Sequence, residues 1–258
     1  MSSSSFEILN TLLGSSPLLP INILIAFFAF HFLFLFIKLI INQYNALKTR
    51  TWCIPTTVKD PSSKKILILG DSTSVGAGAN QYTDTIAGRL EADFPHYEIV
   101  NLGKNGGLVS DVVNQVNMVK QVQFDTIFIS VGGNDVWHLR SSEKIRKELI
   151  YIFGETKRMS SNRVFFLLYN IIEQAPMFPY FMKPYLAYKA HIVNETIIDV
   201  ASKMGVPLID LFVSEEKNPF TQNPKELFSS DGIHPSSRGY ALWYYRLWRK
   251  LNQIGYHS

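Results

Sequence analysis

Two short stretches of the 258-residue chain carry the residue types of a serine-based reaction. Ser72 lies in GDSTSVGAG, residues 70–78, directly after the apolar run Ile66 to Leu69. Asp231 and His234 lie in DGIHP, residues 231–235, where an acid precedes an imidazole by three residues in a loop shaped by glycine and proline. A serine becomes a nucleophile when a histidine accepts its proton and an acid orients that histidine. The three residues are therefore candidates for nucleophilic catalysis.

The glycine-rich loop allows two other interpretations. A phosphate-binding loop is disfavoured, because no Lys-Ser or Lys-Thr pair follows the glycines and G-x-G-x-x-G is absent. A plain tight turn, in which Asp71, Ser72 and Thr73 cap the following helix, fits the loop taken by itself. Asp231 and His234, taken by themselves, are equally compatible with an ordinary loop. The choice therefore depends on motifs elsewhere in the chain.

Among the six histidines, His234 has the neighbours that a catalytic base needs. It lies three residues after Asp231, immediately ahead of a predicted helix, so one short turn can present both side chains to the same side. The other histidines are His31, His96, His138, His191 and His257. Only His138, close after Asn134, is a rival, and a weak one.

Five short apolar runs follow residue 63 and are typical of buried parallel strands. They are Ile66 to Leu69, Tyr97 to Asn101, Thr126 to Val131, Val164 to Tyr169 and Pro207 to Leu211. Helical periodicities separate them; we expect one helix to end at Gly205 and a last helix to be capped by Ser236. This alternation predicts a single α/β domain, residues 64–258, with a parallel sheet covered on both faces.

Polar sequences follow these strands at the places where a parallel sheet binds its ligands, outside the carboxyl ends of the strands. GDSTSVG follows the first run, NLGKNGG the second and VGGNDVW the third, while SSDGIHP lies near the C-terminus. These four loops are the expected positions of functional residues.

Together the four loops resemble the four sequence blocks of the SGNH hydrolases, the GDSL-type esterases and lipases. The matching segments are GDS at 70–72, N-x-x-x-x-G at 101–106, GGND at 132–135 and DGIHP at 231–235, in the family's order. The resemblance covers the chain from about Lys64 to the C-terminus, with GDST standing where GDSL is frequent. It implies a flavodoxin-like three-layer α/β/α sandwich with a five-stranded parallel sheet.

The resemblance also implies a role for each matching residue. Ser72 corresponds to the nucleophile, His234 to the base and Asp231 to the acid. The oxyanion hole corresponds to the backbone N–H groups of Ser72 and Gly106 and to the side-chain amide of Asn134.

The implied reaction is ester hydrolysis of the esterase, lipase or lysophospholipase type through an acyl-Ser72 intermediate, with no metal or organic cofactor. Ser74 is the nearest alternative nucleophile, and Gly103 or Gly107 would replace Gly106 if the alignment shifted. The alternative functions are an acyltransferase or deacetylase of the same family and a catalytically inactive, membrane-tethered binding protein. The complete proton-transfer set favours an enzyme.

The N-terminus contains a long apolar segment, INILIAFFAFHFLFLFIKLII, residues 21–41. At about 1.5 Å per residue, a helix of this length spans roughly the hydrocarbon core of a bilayer. The polar segment 1–20 has no Lys or Arg, unlike a signal peptide, whereas basic residues follow the run. The pattern predicts a transmembrane anchor, a juxtamembrane linker over 42–63 and a hydrolase domain on the cytoplasmic side. A buried helix of a globular core is the alternative.

The composition of the chain argues against several other classes of protein and of binding site. The net charge of +4 is mild and the basic residues are scattered, which gives little support to nucleic-acid binding. The single cysteine, Cys53, excludes an intrachain disulfide and a zinc site built on several thiolates. Two aromatic stretches, Ala175 to His191 and ALWYYRLWRKL near the C-terminus, predict either packing on the domain or contact with lipid; the first could also line an acyl pocket.

Overall fold

A five-stranded parallel sheet lies at the centre of the computed structural model of the chain. The strands are β1 (Lys64–Gly70), β2 (Tyr97–Asn101), β3 (Thr126–Ser130), β4 (Val164–Leu168) and β5 (Leu208–Asp210). Their order in the sheet is β2-β1-β3-β4-β5, the order of flavodoxin-like folds. Each strand matches a predicted apolar run to within a residue or two, so the predicted α/β fold with five parallel strands is confirmed.

The structure describes residues 64–160, 163–168, 172–211 and 218–255, and eight single or paired residues between 25 and 40. The chain divides into two compact units, Met1–Tyr44 and Asn45–Ser258. In the first unit the described residues are helical and exposed. The rest of the predicted anchor, 21–41, and the predicted linker, 42–63, lie outside the described residues. Among the residues that are described, no helix is long and apolar enough to cross a membrane.

Helices fill the connections between the strands and follow the last strand. They are α1 (Ser72–Val75), α2 (Ile86–Asp93), α3 (Val109–Val119), α4 (Gly133–Trp137), α5 (Ser142–Met159), α6 (Lys183–Met204), α7 (Pro219–Gln222), α8 (Pro224–Leu227) and α9 (Ser237–Gln253). In the sheet, β2 lies on one side of β1, whereas β3, β4 and β5 follow in order on its other side. Because such connections are right-handed, α2 covers one face and α3, α5 and α6 cover the opposite face. Helix α9 contacts α2, which completes the α/β/α sandwich.

The predicted ends of the two last long helices are confirmed. Gly205 adopts a left-handed conformation (φ 63°) after α6 and its N–H donates to the carbonyl of Ser202. The hydroxyl of Ser236 accepts the N–H of Gly239 at 3.2 Å and caps α9. The aromatic C-terminal stretch packs on the domain, since Trp243 and Leu247 are buried.

Candidate active site

Ser72, His234 and Asp231 form a hydrogen-bonded chain at the carboxyl edge of the sheet. His234 Nε2 lies 2.8 Å from Ser72 Oγ, and His234 Nδ1 lies 2.7 Å from Asp231 Oδ2. Asp231 is 2% exposed and Ser72 is 8% exposed. Because the carboxylate holds the proton on Nδ1, Nε2 is left to accept a proton from the serine hydroxyl. The arrangement is that of a nucleophile, a base and an orienting acid.

The turn between β1 and α1 fixes the position of Ser72. Gly70 has φ 145°, and a side chain there would overlap the carbonyl group of Ser130 on the neighbouring strand β3. The carboxylate of Asp71 accepts the N–H of Thr73 at 2.9 Å and caps α1. The cap places Ser72 at the first position of this short helix, directly at the end of the buried strand.

Gln115 on α3 holds the same turn, and the sequence did not identify it. Its Oε1 accepts the N–H of Gly70 at 2.8 Å and its Nε2 donates to the Gly70 carbonyl at 2.8 Å. The side chain is buried and satisfies both backbone groups at the end of β1. In the sequence, Gln115 is the one amide side chain within the apolar stripe of Val109, Val112 and Val116, and this was the available indication of a buried polar contact.

The loop around Asp231 stabilises its ionised form. Asp231 Oδ1 accepts hydrogen bonds from the Ser229 hydroxyl (2.7 Å), the Ile233 N–H (2.9 Å) and the His234 N–H (3.0 Å). Burial by itself would raise the pKa of Asp231, but the hydrogen bond and charge of His234 and these backbone groups hold that pKa well below its usual range. The carboxylate is therefore ionised wherever the imidazole can act as a base.

The three glycines of the second loop differ in the use of their N–H groups. The Gly103 N–H donates to Asn101 Oδ1 at 3.0 Å, and the Gly107 N–H donates to the Lys104 carbonyl at 2.9 Å. The Gly106 N–H has no acceptor among the described residues. Among these three glycines, the backbone N–H of Gly106 is therefore the one that is free to meet a ligand. Gly106 does not line the pocket described below.

Asn134 projects from α4, directly after β3. Its Nδ2 donates one hydrogen to the Gly107 carbonyl at 3.0 Å, which leaves the second hydrogen of the amide for a ligand. Asn134 lines one pocket together with Ser72 and His234. The remaining wall of this pocket includes Ile172, Ile233 and Trp243. The polar side chains of Ser72, His234 and Asn134 thus border an apolar wall within one pocket.

A buried ionic network holds α4 in place. Asp135 is fully buried and accepts the Val109 N–H at 3.1 Å and Arg140 Nη1 at 3.0 Å, while Arg140 also bonds Glu148 at 2.7 Å. Burial raises the pKa of Asp135 to about 6, although the Val109 N–H and Arg140 act in the opposite direction. Asp135 therefore connects α3 to α4 and helps to position Asn134.

The rival residues lack the contacts of a reactive group. Ser74 is buried, and its hydroxyl donates to the Leu69 carbonyl at 3.1 Å instead of meeting a base. His138 is exposed at the end of α4 and its ring makes no hydrogen bond to the described residues. In the part of the chain that the structure describes, no three His, Cys, Asp or Glu side chains are grouped to hold a metal ion.

The fold is an α/β fold with a parallel sheet, and Ser72, His234 and Asp231 at its carboxyl edge have the geometry that acyl transfer to a serine requires. The family model of the GDSL-like lipases and acylhydrolases matches residues 68–242, more than half of the chain. The chain belongs to the GDSL-like Lipase/Acylhydrolase family, and this membership supports a hydrolase of ester substrates. A comparison with curated proteins finds no match.

Solved structures share the fold at low sequence identity. A member of the lipolytic G-D-S-L family from Veillonella parvula has a TM-score of 0.59 at 20% identity and covers 74% of this chain and 99% of its own. A lipase/acylhydrolase from Enterococcus faecalis has a TM-score of 0.54 at 20% identity, with coverages of 74% and 96%. A psychrotrophic esterase from Pseudoalteromonas sp., whose structure was solved with monoethylphosphonate as inhibitor, has a TM-score of 0.56 at 14% identity. The match covers 74% of this chain and 98% of the esterase.

Proposed function

We propose that the chain is a serine ester hydrolase that acts through an acyl-Ser72 intermediate. The observation that carries this proposal is the unbroken chain from Ser72 Oγ through the two nitrogens of His234 to Asp231, with separations of 2.8 and 2.7 Å. A nucleophile, its base and an orienting acid at hydrogen-bond distances are what acyl transfer to a serine requires.

In the first half of the proposed reaction, Ser72 Oγ attacks the carbonyl carbon of the ester while His234 Nε2 takes the hydroxyl proton. The negative charge that develops on the carbonyl oxygen is met by the N–H groups of Ser72 and Gly106 and by the amide of Asn134. The C–O bond to the alcohol then breaks, and His234 returns the proton to the departing alkoxide.

In the second half, a water molecule attacks the acyl-Ser72 carbonyl and gives a proton to His234. The intermediate collapses, the bond from the acyl carbon to Ser72 Oγ breaks, and the proton returns to the serine. Asp231 stays ionised throughout and stabilises the imidazolium that forms in both halves. The products are a carboxylic acid and an alcohol.

Labelling with a fluorophosphonate tests the nucleophile directly. A phosphonate inhibits the similar Pseudoalteromonas esterase, and here we expect the probe to bond to Ser72, as located by peptide mapping. Ser72→Ala should abolish labelling and lower kcat by roughly 10⁴- to 10⁶-fold. Ser74→Ala is the matched control, because it removes a buried hydroxyl two residues away that contacts no base.

Two results would contradict the assignment: labelling at another residue, or full activity of Ser72→Ala. A folded protein that hydrolyses no ester and reacts with no probe would instead indicate a binding protein. Product that appears only when an alcohol acceptor is added would indicate an acyltransferase.

We also propose that residues 21–41 anchor the enzyme in a membrane with the hydrolase domain on the cytoplasmic side. The support is the apolar sequence, the basic residues that follow it, and the exposure of the apolar side chains described within it. Those side chains are Ile25, Phe30, Phe32, Leu33, Phe36, Ile37 and Ile40. Alkaline carbonate should fail to extract the full chain, and protease added outside intact cells should leave residues 64–258 uncut. Extraction into the supernatant would contradict the anchor, and cleavage would contradict the orientation.

A further inference from the structure

Four aromatic side chains form an exposed surface after β4, which we call the aromatic face. They are Tyr180, Phe181, Tyr185 and Tyr188, with exposed fractions of 87%, 56%, 51% and 62%. Phe181, Tyr185 and Tyr188 are spaced by four and three residues, which places side chains on one side of a helical segment. Single exposed apolar residues are ordinary on protein surfaces, whereas a group of neighbouring rings marks an interaction site.

The helix under this surface is apolar on both sides. Leu186, Ala190 and Val193 of α6 are buried against the domain, while Tyr185 and Tyr188 face outwards. An ordinary surface helix carries polar residues on its outer side. Apart from the half-exposed Lys183 and Lys189, the outer side carries polar side chains only from His191 and Glu195 onwards. The segment Ala175 to His191, predicted either to pack on the domain or to contact lipid, therefore has one side that is packed and one side that is exposed.

The charge of this region has one sign. Lys183 and Lys189 are half-exposed, and no Asp or Glu occurs between Gln174 and Asn194. Lysines near a surface of exposed rings attract anionic lipid headgroups. Tyrosine rings prefer the boundary between headgroups and acyl chains, where the ring is in apolar surroundings and the hydroxyl in polar ones.

The aromatic face is joined to the proposed catalytic loop. The Met177 N–H donates to the carbonyl of Gly232 at 3.0 Å, between Asp231 and Ile233. Gly232 has φ 72°, and a side chain there would approach the Met177 nitrogen to 3.1 Å. Phe178, next in the chain, is buried with its ring 5.1 Å from that of Trp137 at the end of α4, the helix of Asn134. Met177 and Phe178, which lead to the aromatic face, thus contact the loop of Asp231 and His234 and the helix of Asn134.

We propose that the aromatic face binds the surface of an anionic phospholipid bilayer and so brings the active-site pocket to lipid esters in that surface. The rings supply apolar contact at headgroup depth, and Lys183 and Lys189 supply the attraction to negative charge. Only the consequence for lipid esters rests on the proposed function; the binding itself does not.

A fluorophore on the aromatic face tests the contact independently of activity. In the full chain with Cys53→Ser, Tyr185→Cys is labelled with an environment-sensitive dye, and the protein is reconstituted into phosphatidylcholine vesicles with or without phosphatidylglycerol. We expect a blue shift and quenching by lipids spin-labelled near the headgroup, both stronger with phosphatidylglycerol. Met118→Cys on α3 is the control, since its side chain is 75% exposed on a different element.

Equal quenching at positions 185 and 118 would overturn the proposal, because the anchor alone would then explain proximity to the bilayer. A disulfide that joins two Tyr185→Cys chains in place of labelling would also overturn it and would indicate a second copy on this surface. Lys183→Gln combined with Lys189→Gln should remove the extra quenching due to phosphatidylglycerol; a response unchanged by the double variant would contradict the role of charge.

Activity provides a second readout. Tyr185→Ser combined with Tyr188→Ser should lower the rate on an ester embedded in anionic vesicles about tenfold, which corresponds to 1.4 kcal/mol of lost contact. The rate on a soluble short-chain ester should stay the same, which also shows that the variant is folded. A wild-type protein that hydrolyses neither ester would refute the proposed function, while the quenching result would still decide the binding.

Discussion

Gly78 lies directly against His234: a side chain at position 78 would place its first carbon 2.9 Å from His234 Cβ and would overlap the carbonyl of Pro235. Gly78 also has φ 90°, a conformation that residues other than glycine rarely adopt. The loop that follows Ser72 therefore supports the loop that carries His234. The last glycine of GDSTSVGAG belongs to the architecture of the site as much as the first.

Gly78→Ala should lower kcat/KM about 100-fold, the effect of displacing a catalytic group by about 1 Å. The added methyl group pushes His234 away from Ser72 and strains the backbone. Gly154→Ala in α5 is the matched control, because a side chain there meets nothing within 4 Å. We expect the control to keep full activity and to gain about 0.5–1 kcal/mol of stability. Wild-type activity in Gly78→Ala, measured by ester hydrolysis, would show that the two loops are not coupled.

Asn134→Ala should lower kcat by about 10²- to 10³-fold with little change in KM, because the lost amide hydrogen bond forms only as charge develops on the oxyanion. The control is Asn117→Ala, whose side chain is exposed and bonds only Tyr151 among the described residues. Steady-state kinetics on a soluble ester measure both values. A kcat that stays within a few-fold of wild type would remove Asn134 from the oxyanion hole.

The pH dependence of stability follows from the lowered pKa of Asp231. Since the folded pKa lies below the ordinary value of 3.8, the unfolded chain binds the proton more tightly. The stabilisation by this carboxylate is complete above about pH 3.8, the pKa of the unfolded chain. It is lost as the pH falls through the lower pKa of the folded state. The free energy of unfolding in urea should therefore fall more steeply below 3.8 for the wild type than for Asp231→Asn. Parallel curves would contradict the ionised, hydrogen-bonded carboxylate.

Gln115→Leu should lower the free energy of unfolding by about 1–3 kcal/mol, because the Gly70 N–H loses its acceptor while the Gly70 carbonyl keeps the Lys104 N–H. The same variant should lower kcat, because the turn that carries Ser72 loses its support. Gln123→Leu is the control: its side chain is exposed and, among the described residues, donates only to the Arg158 carbonyl, so we expect a change within about 0.5 kcal/mol. Equal stability of the two variants in urea would show that the Gly70 contact contributes nothing.

The sequence was sufficient wherever a local pattern dictates structure. Buried parallel strands are continuous apolar runs, so β1 to β5 could be located from residue type alone. Residues at the carboxyl ends of such strands meet at one edge of the sheet, so the loops of Ser72, Asn134 and His234 could be associated before any geometry was known. Helix ends at Gly205 and Ser236 were predictable because capping is a local interaction.

Contacts between residues that are distant in the sequence could not be predicted from local patterns. The three glycines of NLGKNGG are alike in sequence, and only the acceptors that Gly103 and Gly107 find distinguish Gly106 from them. The support of Gly70 by Gln115 joins residues 45 apart, and the lone amide in the apolar stripe indicates a buried polar side chain but not its partner. The aromatic stretch Ala175 to His191 could not be assigned from composition, because burial of Phe178 and exposure of Tyr185 depend on the loops beneath them.

The hydrogen bond between Ser72 and His234 joins residues 162 positions apart. It forms only when the first strand and the last loop of the domain have both reached their places, which is a late event for contacts of such separation. A growing or truncated chain that ends before residue 234 contains the serine without its base. The reactive group therefore appears only in the finished domain, and labelling of Ser72 reports complete folding as well as chemical competence.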